Sequence, residues 1–175
     1  MKKFIKGLLL VVLFNGYGQY SAAIKTGNIK CNELIESSGM GFSTEDSNVI
    51  WAHNDRDNKP KIFAINLDGS LVTSVVLDTS DENGFMSGDW EDMAVINKTL
   101  YIADVGDNPL NRKEHKILLL KEPKLSIKSN SIVEFKTYKF KFPKGYVSNN
   151  EAIAIDPISK KILVFSKKVK KRHYS

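Results

Sequence analysis

Two stretches of this chain repeat one another, and the period between them limits the possible folds more than any other feature. Glu91-Asp92-Met93-Ala94-Val95 is echoed 60 residues later by Glu151-Ala152-Ile153-Ala154-Ile155. A weaker echo, Ser38-Gly39-Met40-Gly41-Phe42, lies 53 residues before the first. Each copy is followed by an apolar run: Val49 to Ala52, Leu100 to Ala103, and Ile162 to Phe165. Two of these runs lead into matching polar loops, Asn54-Asp55-Arg56-Asp57-Asn58 and Asp104-Val105-Gly106-Asp107-Asn108, 50 residues apart. A period of this length with about four strands per unit predicts propeller blades, because solenoid repeats are usually shorter. A β-sandwich with accidentally similar hairpins is the alternative.

The pattern between the repeats supports an all-β chain with no helix. Lys61 to Asn66 and Leu71 to Leu77 are short apolar or alternating runs. They are joined by Asn66-Leu67-Asp68-Gly69, a hairpin signal because Asp-Gly tolerates positive φ. Asn97-Lys98-Thr99 marks another reversal, and His115 to Leu120 reads as a strand that starts exposed. From Glu134 to Phe142 the residues alternate, with Tyr138, Phe140 and Phe142 on one face, which predicts a half-buried strand. The expected blades of four-stranded antiparallel sheet cover roughly 34–80, 88–142 and 149–166. Closed propellers contain about 4–8 blades, whereas this length holds about two and a half. The expectation is therefore an incomplete ring within residues 24–166, the N-terminal part of a longer propeller. Completion by other chains is the alternative.

Before that region comes an export signal. Lys2, Lys3 and Lys6 precede the apolar run Gly7 to Phe14, which is too short for a membrane-spanning helix. Ser21-Ala22-Ala23 follows as a cleavage region, so residues 1–23 are read as a signal peptide and the protein as secreted or periplasmic, with no stable membrane insertion after cleavage. The single cysteine, Cys31, excludes an internal disulfide and lies too far downstream for a lipid anchor. Net charge is +6, but the lysines of the leader and the run Lys167 to Arg172 account for it; residues 24–166 carry 18 basic and 20 acidic side chains. Basic residues gathered in one terminal run, 167–175, predict a solvated tail and argue against nucleic-acid binding.

Several of these motifs are familiar together. Trp51-Ala52-His53-Asn54-Asp55, Asp89-Trp90-Glu91-Asp92-Met93-Ala94-Val95, Leu100 to Asn108 and Asn150 to Asp156 occur here in an order that resembles a family of secreted bacterial β-propeller proteins, with Glu122-Pro123 closing the second blade. The resemblance covers nearly all of residues 24–166, and Tyr101-Ile102-Ala103-Asp104-Val105-Gly106-Asp107-Asn108 is its most specific part. More distantly the chain is similar to six-bladed propellers of the gluconolactonase and regucalcin type. That likeness implies a divalent metal on the propeller axis, held by a Glu with Asp or Asn side chains. Here any ligand from later blades is missing.

Acidic and amide residues gather beside the expected inner strands. Ca²⁺ or another divalent cation takes about 6–8 such oxygen ligands. Glu91 and Glu151 hold equivalent repeat positions, so with Asp104 and Asn108 they form the expected metal set; His53, Asn54, Asp55 and Trp90 form the expected ligand face. The competing explanation is that Asp, Asn and Gly simply serve tight turns, where Asx side chains bond their own backbone. Trp51, inside an apolar strand, is expected to be core. There is no Gly-x-Ser-x-Gly elbow, zinc-type histidine pair or glycine-rich phosphate loop. A base at His53 next to Asp55 competes with the reading of His53 as polar loop surface. The expected function is thus a secreted propeller-type binding module for a small molecule, glycan or protein. The alternatives are a divalent-metal-dependent hydrolase of lactonase or esterase type, and a non-functional fragment.

Overall fold

The computed structural model describes residue 25 and residues 27–56, 59–79, 88–144 and 146–171; the expected leader, together with Asp57 and Asn58, lies outside them. Every regular element among these residues is a β-strand. The strands are β1 (Ser37–Phe42), β2 (Val49–Asn54), β3 (Lys61–Asn66), β4 (Leu71–Leu77), β5 (Trp90–Ile96), β6 (Thr99–Asp104), β7 (His115–Lys121), β8 (Ser131–Val133), β9 (Lys136–Phe140), β10 (Tyr146–Ile155) and β11 (Ile162–Lys171).

Turn chemistry sets the order in which they pair. The β3–β4 hairpin closes on Gly69 at φ 83°, and the β5–β6 hairpin on Asn97 and Lys98 at φ 49° and 59°. Two consecutive residues with positive φ are what a tight hairpin matched to the strand twist requires. The result, among the described residues, is three separate sheets, β1-β2-β3-β4-β8, β5-β6-β7-β9 and β10-β11. All pairings are antiparallel except β4 with β8. The first strand of each sheet packs beside the first strand of the next, with β5 lying between β1 and β10. These are propeller-like blades in an incomplete array, with β1, β5 and β10 innermost.

The core lies between blades. Trp51, Ile62 and Val75 of the first sheet pack against Trp90, Ile102 and Leu118 of the second. The opposite face of the first sheet is also covered, since Ala52, Phe63 and Ile65 pack on Cys31 and Leu34 from the segment before β1. Burial of both faces explains why β2 and β3 read as continuous apolar runs rather than alternating ones. Blades two and three join through a smaller cluster around Val105, Ile117 and Ile153. Trp51 and Trp90 are fully buried. Truncating side chains of this size to alanine costs about 3–5 kcal/mol, so the first interface carries much of the stability.

Three expectations need correction. The lysine run is not a free tail from residue 167: Lys168 and Lys170 pair with Asn149 and Val147, and the strand continues through Lys171. Backbone pairing with the long β10 outweighs the charge. His115 does not start its strand exposed. It is buried, stacked on Phe140 at 5.5 Å and edge-on to Phe142 at 5.3 Å. Burial, and then the Arg112 charge, hold its pKa below the usual histidine value. Tyr138 shares the strand with Phe140 but is exposed, because blade three has no outer strands over it among the described residues.

Candidate functional site

Each inner strand carries the same irregularity at the same repeat position. Pairing slips by one residue after Ser37↔Asn54, after Trp90↔Asp104 and after Asn150↔Ser166, leaving Ser38, Glu91 and Glu151 unmatched. A bulge bends its strand and re-aims the extra side chain, so three equivalent side chains are presented at one end of the inner strands. The Ser38 hydroxyl donates to the Glu91 carbonyl at 2.9 Å, linking the first two bulges. One residue further on, the Asp92 carboxylate accepts the Ile153 amide at 2.8 Å, linking blade two to blade three.

The Glu91 carboxyl is met by two others. Asp55, directly after β2, and Asp89, directly before Trp90, bring carboxylate oxygens to within 4.8 Å of one another and of Glu91. All three are half-buried. Asp89 is anchored by its carbonyl, which accepts the amides of Val105 and Gly106 at 3.2 Å each. Gly106 lets these carboxyls lie close, since a Cβ there would have to push the Asp89 and Glu91 carboxylates aside. Burial, followed by the charges of Glu151, Asp89 and Asp55, pushes the Glu91 pKa up to about 7 against a partial counter-effect of Lys167. Asp89 is raised as well, by burial first, with Arg56 opposing and Asp55 adding to the rise. A shallow cleft of about 310 Å³ adjoins the cluster, with Asp89, Arg56 and Arg112 on its walls.

The expected ligands divide. Glu91 sits in the cluster, and Glu151 is coupled to it electrostatically while accepting Asn149 Nδ2 at 2.8 Å and pairing with Lys167 at 3.3 Å. Asp104 is turned elsewhere: its Oδ1 accepts Arg112 Nη1 at 2.8 Å and the Asp89 amide at 3.0 Å. Asn108 accepts Asn149 Nδ2 at 3.2 Å, and Asp107 caps a turn by accepting the amides of Asn111 and Arg112. The Asp104–Asn108 loop therefore joins blades two and three, with Asn150 Nδ2 donating to the Val105 carbonyl at 3.0 Å.

Of the expected ligand face, only Asp55 reaches the cluster. Asn54 is buried and holds the segment before β1, accepting the Glu36 amide at 3.0 Å and donating to the Glu33 carbonyl at 2.7 Å. His53 and Trp90 are wholly buried and meet edge to face at 5.4 Å. His53 is core because β2 runs two residues beyond Ala52 and carries it inside, and Trp90 because it opens β5 within the cluster between the first two sheets. Burial holds the His53 pKa below the usual histidine value. Its Nδ1 lies 2.8 Å from the Asn54 carbonyl, and Nε2 sits under Gly39, where a Cβ would strike it.

Asp89 was outside the expected set, although its spacing signals it. It stands two residues before Glu91, and side chains two apart on an extended strand share a face. Trp90, between them, fills the core. The fold and this cluster together define the protein as a set of propeller-like blades with an acidic opening at one end of its inner strands. No known protein family, curated protein or solved structure matches the chain.

Proposed function

We propose that this chain is an exported binding module of the β-propeller type, whose Asp55–Asp89–Glu91 cluster takes a divalent cation such as Ca²⁺ and through it a small oxygen-rich ligand in the adjoining cleft. The observation that carries this reading is the convergence of three carboxylates from two blades. Like charges held this close are unfavourable unless a proton or cation stands between them, and burial together with the neighbouring carboxylates raises the Glu91 pKa to about 7. Carboxylates without nitrogen or sulfur ligands suit a hard cation. The leader supports a secreted or periplasmic location, and the likeness of the repeat motifs to secreted bacterial propellers supports the same class.

The test is thermal melting with added Ca²⁺ or Mg²⁺ at pH 8. A cation at a hundred times its dissociation constant stabilises the fold by about 2.7 kcal/mol. The gain is smaller at pH 5.5, where Glu91 is protonated, and is lost in Glu91→Gln. A wild-type melting temperature unmoved by either cation at pH 8 overturns the reading.

One observation favours a second reading, a metal-dependent lactonase or esterase. A carboxyl titrating near neutrality is suited to general acid–base catalysis. Turnover of simple lactones or aryl esters, lost in Glu91→Gln and bell-shaped around pH 7, would support it; no turnover in a chain that binds the cation returns the protein to the binding class.

A further inference from the structure

Arg112 meets its buried partner with only half of its fork. A guanidinium opposite a carboxylate commonly makes two parallel hydrogen bonds. Here Nη1 alone reaches Asp104, at Oδ1, and the same nitrogen donates to the Gly106 carbonyl at 2.9 Å. Asp104 Oδ2 is buried and has no partner among the described residues, so the rest of the fork is not spent on it. The carboxyl lies against Gly88 of the cleft wall, where a Cβ would strike both of its oxygens. Nε and Nη2 of Arg112 donate to no group among the described residues, and the side chain, 24% exposed, lines the cleft beside the acidic cluster. The turn that carries it is fixed from several sides. Asp107 accepts the amides of Asn111 and Arg112, its carbonyl accepts the Leu110 amide at 2.8 Å, and buried Leu110 is held at φ 55°. A bulky residue keeps such a backbone only where its surroundings over-determine it.

We propose that Arg112 is the anion anchor of this cleft, so that the ligand carries an oxyanion, a carboxylate or phosphate group, which pairs with the guanidinium while its other oxygens reach the cation. This rests on the cation reading of the Asp55–Asp89–Glu91 cluster. The spacing suits a small molecule. Gly106 faces the Asp89 and Glu91 carboxylates on one side and gives its carbonyl to Arg112 on the other, so one residue separates the guanidinium from the cluster. Burial raises the Asp89 pKa, and the charges of Arg56 and Arg112 oppose the rise, which places both arginines within electrostatic reach of that carboxyl. A planar fork recognises a carboxylate or phosphate through two bonds at once, which an ammonium does not. Without a cation, the neighbouring carboxylates repel an incoming oxyanion; with one, the repulsion is offset and the two ligands bind cooperatively. Asp104 acts as a positioning residue, because its Oδ1 accepts both the Asp89 amide and Arg112 and so ties the two halves of the site to one buried atom.

The experiment titrates Ca²⁺ calorimetrically into the intact chain at pH 8, alone, with methyl phosphate and with acetate. At least one anion tightens Ca²⁺ about tenfold, and by linkage Ca²⁺ tightens that anion by the same factor. Coupling to methyl phosphate identifies a phosphoryl ligand and coupling to acetate a carboxylate; either supports the proposal. In Arg112→Lys, which keeps the charge beside Asp104 but loses the fork, the factor falls to about threefold or less, and in Arg112→Gln it disappears. The factor is a ratio taken within each variant, so a weakened fold or a weaker cation site cancels from it. Ca²⁺ binding indifferent to both anions, or a factor unchanged in Arg112→Gln, overturns the proposal and leaves the cation reading standing. No uptake of Ca²⁺ under any of these conditions overturns both.

Discussion

Glu122 and Glu91 lie at opposite ends of blade two, separated by the length of β5, roughly 20 Å, and both bring a carboxyl group against blade one. Glu122 meets donors. It accepts the Ser43 hydroxyl at 2.6 Å, the Thr44 amide at 2.9 Å, the Trp51 indole at 3.0 Å and the Thr44 hydroxyl. Burial alone would raise its pKa, but these hydrogen bonds outweigh it and the value falls below normal. Glu91 meets other carboxylates, and there burial and repulsion act in the same direction. The difference teaches that what stands opposite an acid decides whether it fastens an interface or leaves it electrostatically incomplete. At Glu122 the burial is met by hydrogen-bond donors; at Glu91 it is compounded by neighbouring negative charge.

The largest way to test that contrast is Glu122→Leu, which leaves the Ser43 hydroxyl and Trp51 indole buried without an acceptor. A loss of about 3 kcal/mol is expected in denaturant melts. Glu122→Gln, which keeps one acceptor oxygen, loses less. Glu91→Gln acts in the opposite sense, relieving repulsion and stabilising the cation-free protein by about 1 kcal/mol at pH 8, a figure kept small because the carboxyl stays partly hydrated. The pH dependence separates the two ends. The raised pKa of Glu91 contributes stability that is complete below the unfolded value near 4.5 and is lost as pH rises through about 7. The lowered pKa of Glu122 contributes stability that is present above its unfolded value and lost as pH falls through the folded one. Chelated protein therefore loses stability from pH 5 to pH 8 in the wild type and less in Glu91→Gln, and loses stability below pH 4 less steeply in Glu122→Gln. The smallest effect belongs to Ser38→Ala, which removes one bond between the bulges at a cost of about 0.5–1 kcal/mol in denaturant melts.

Much of the architecture was legible before any coordinates. The repeat at Ser38, Glu91 and Glu151 marks the three bulges, and Asn66 to Gly69 and Asn97-Lys98 mark turns that need positive φ. Two elements were not legible. β8 is only three residues long and pairs with β4 across more than fifty residues of sequence, so neither periodicity nor a neighbouring turn announces it. The strand through Lys167 to Lys171 was hidden by its charge, because the partner that orders it, Tyr146 to Asn149, carries no apolar alternation. In the site, equivalence of Glu91 and Glu151 was readable from the repeat. What the sequence did not show is that Asp104 and Asn108 hydrogen-bond within a loop shared by two blades, because such partners are set by three-dimensional packing.

The connection between β7 and β9 leaves its own sheet to complete the edge of another. Ser131 to Val133 run parallel to Val75 to Leu77, the Thr73 hydroxyl donates to the Ile127 carbonyl at 2.8 Å, and the Asn130 amide donates to the Ser74 carbonyl at 2.8 Å. The first blade consequently cannot reach its finished state until the chain has been made beyond Val133. Pairing of such widely separated segments slows folding and couples the two blades in one transition. A cut between β7 and β8 would therefore loosen blade one, although every covalent bond within that blade remained intact.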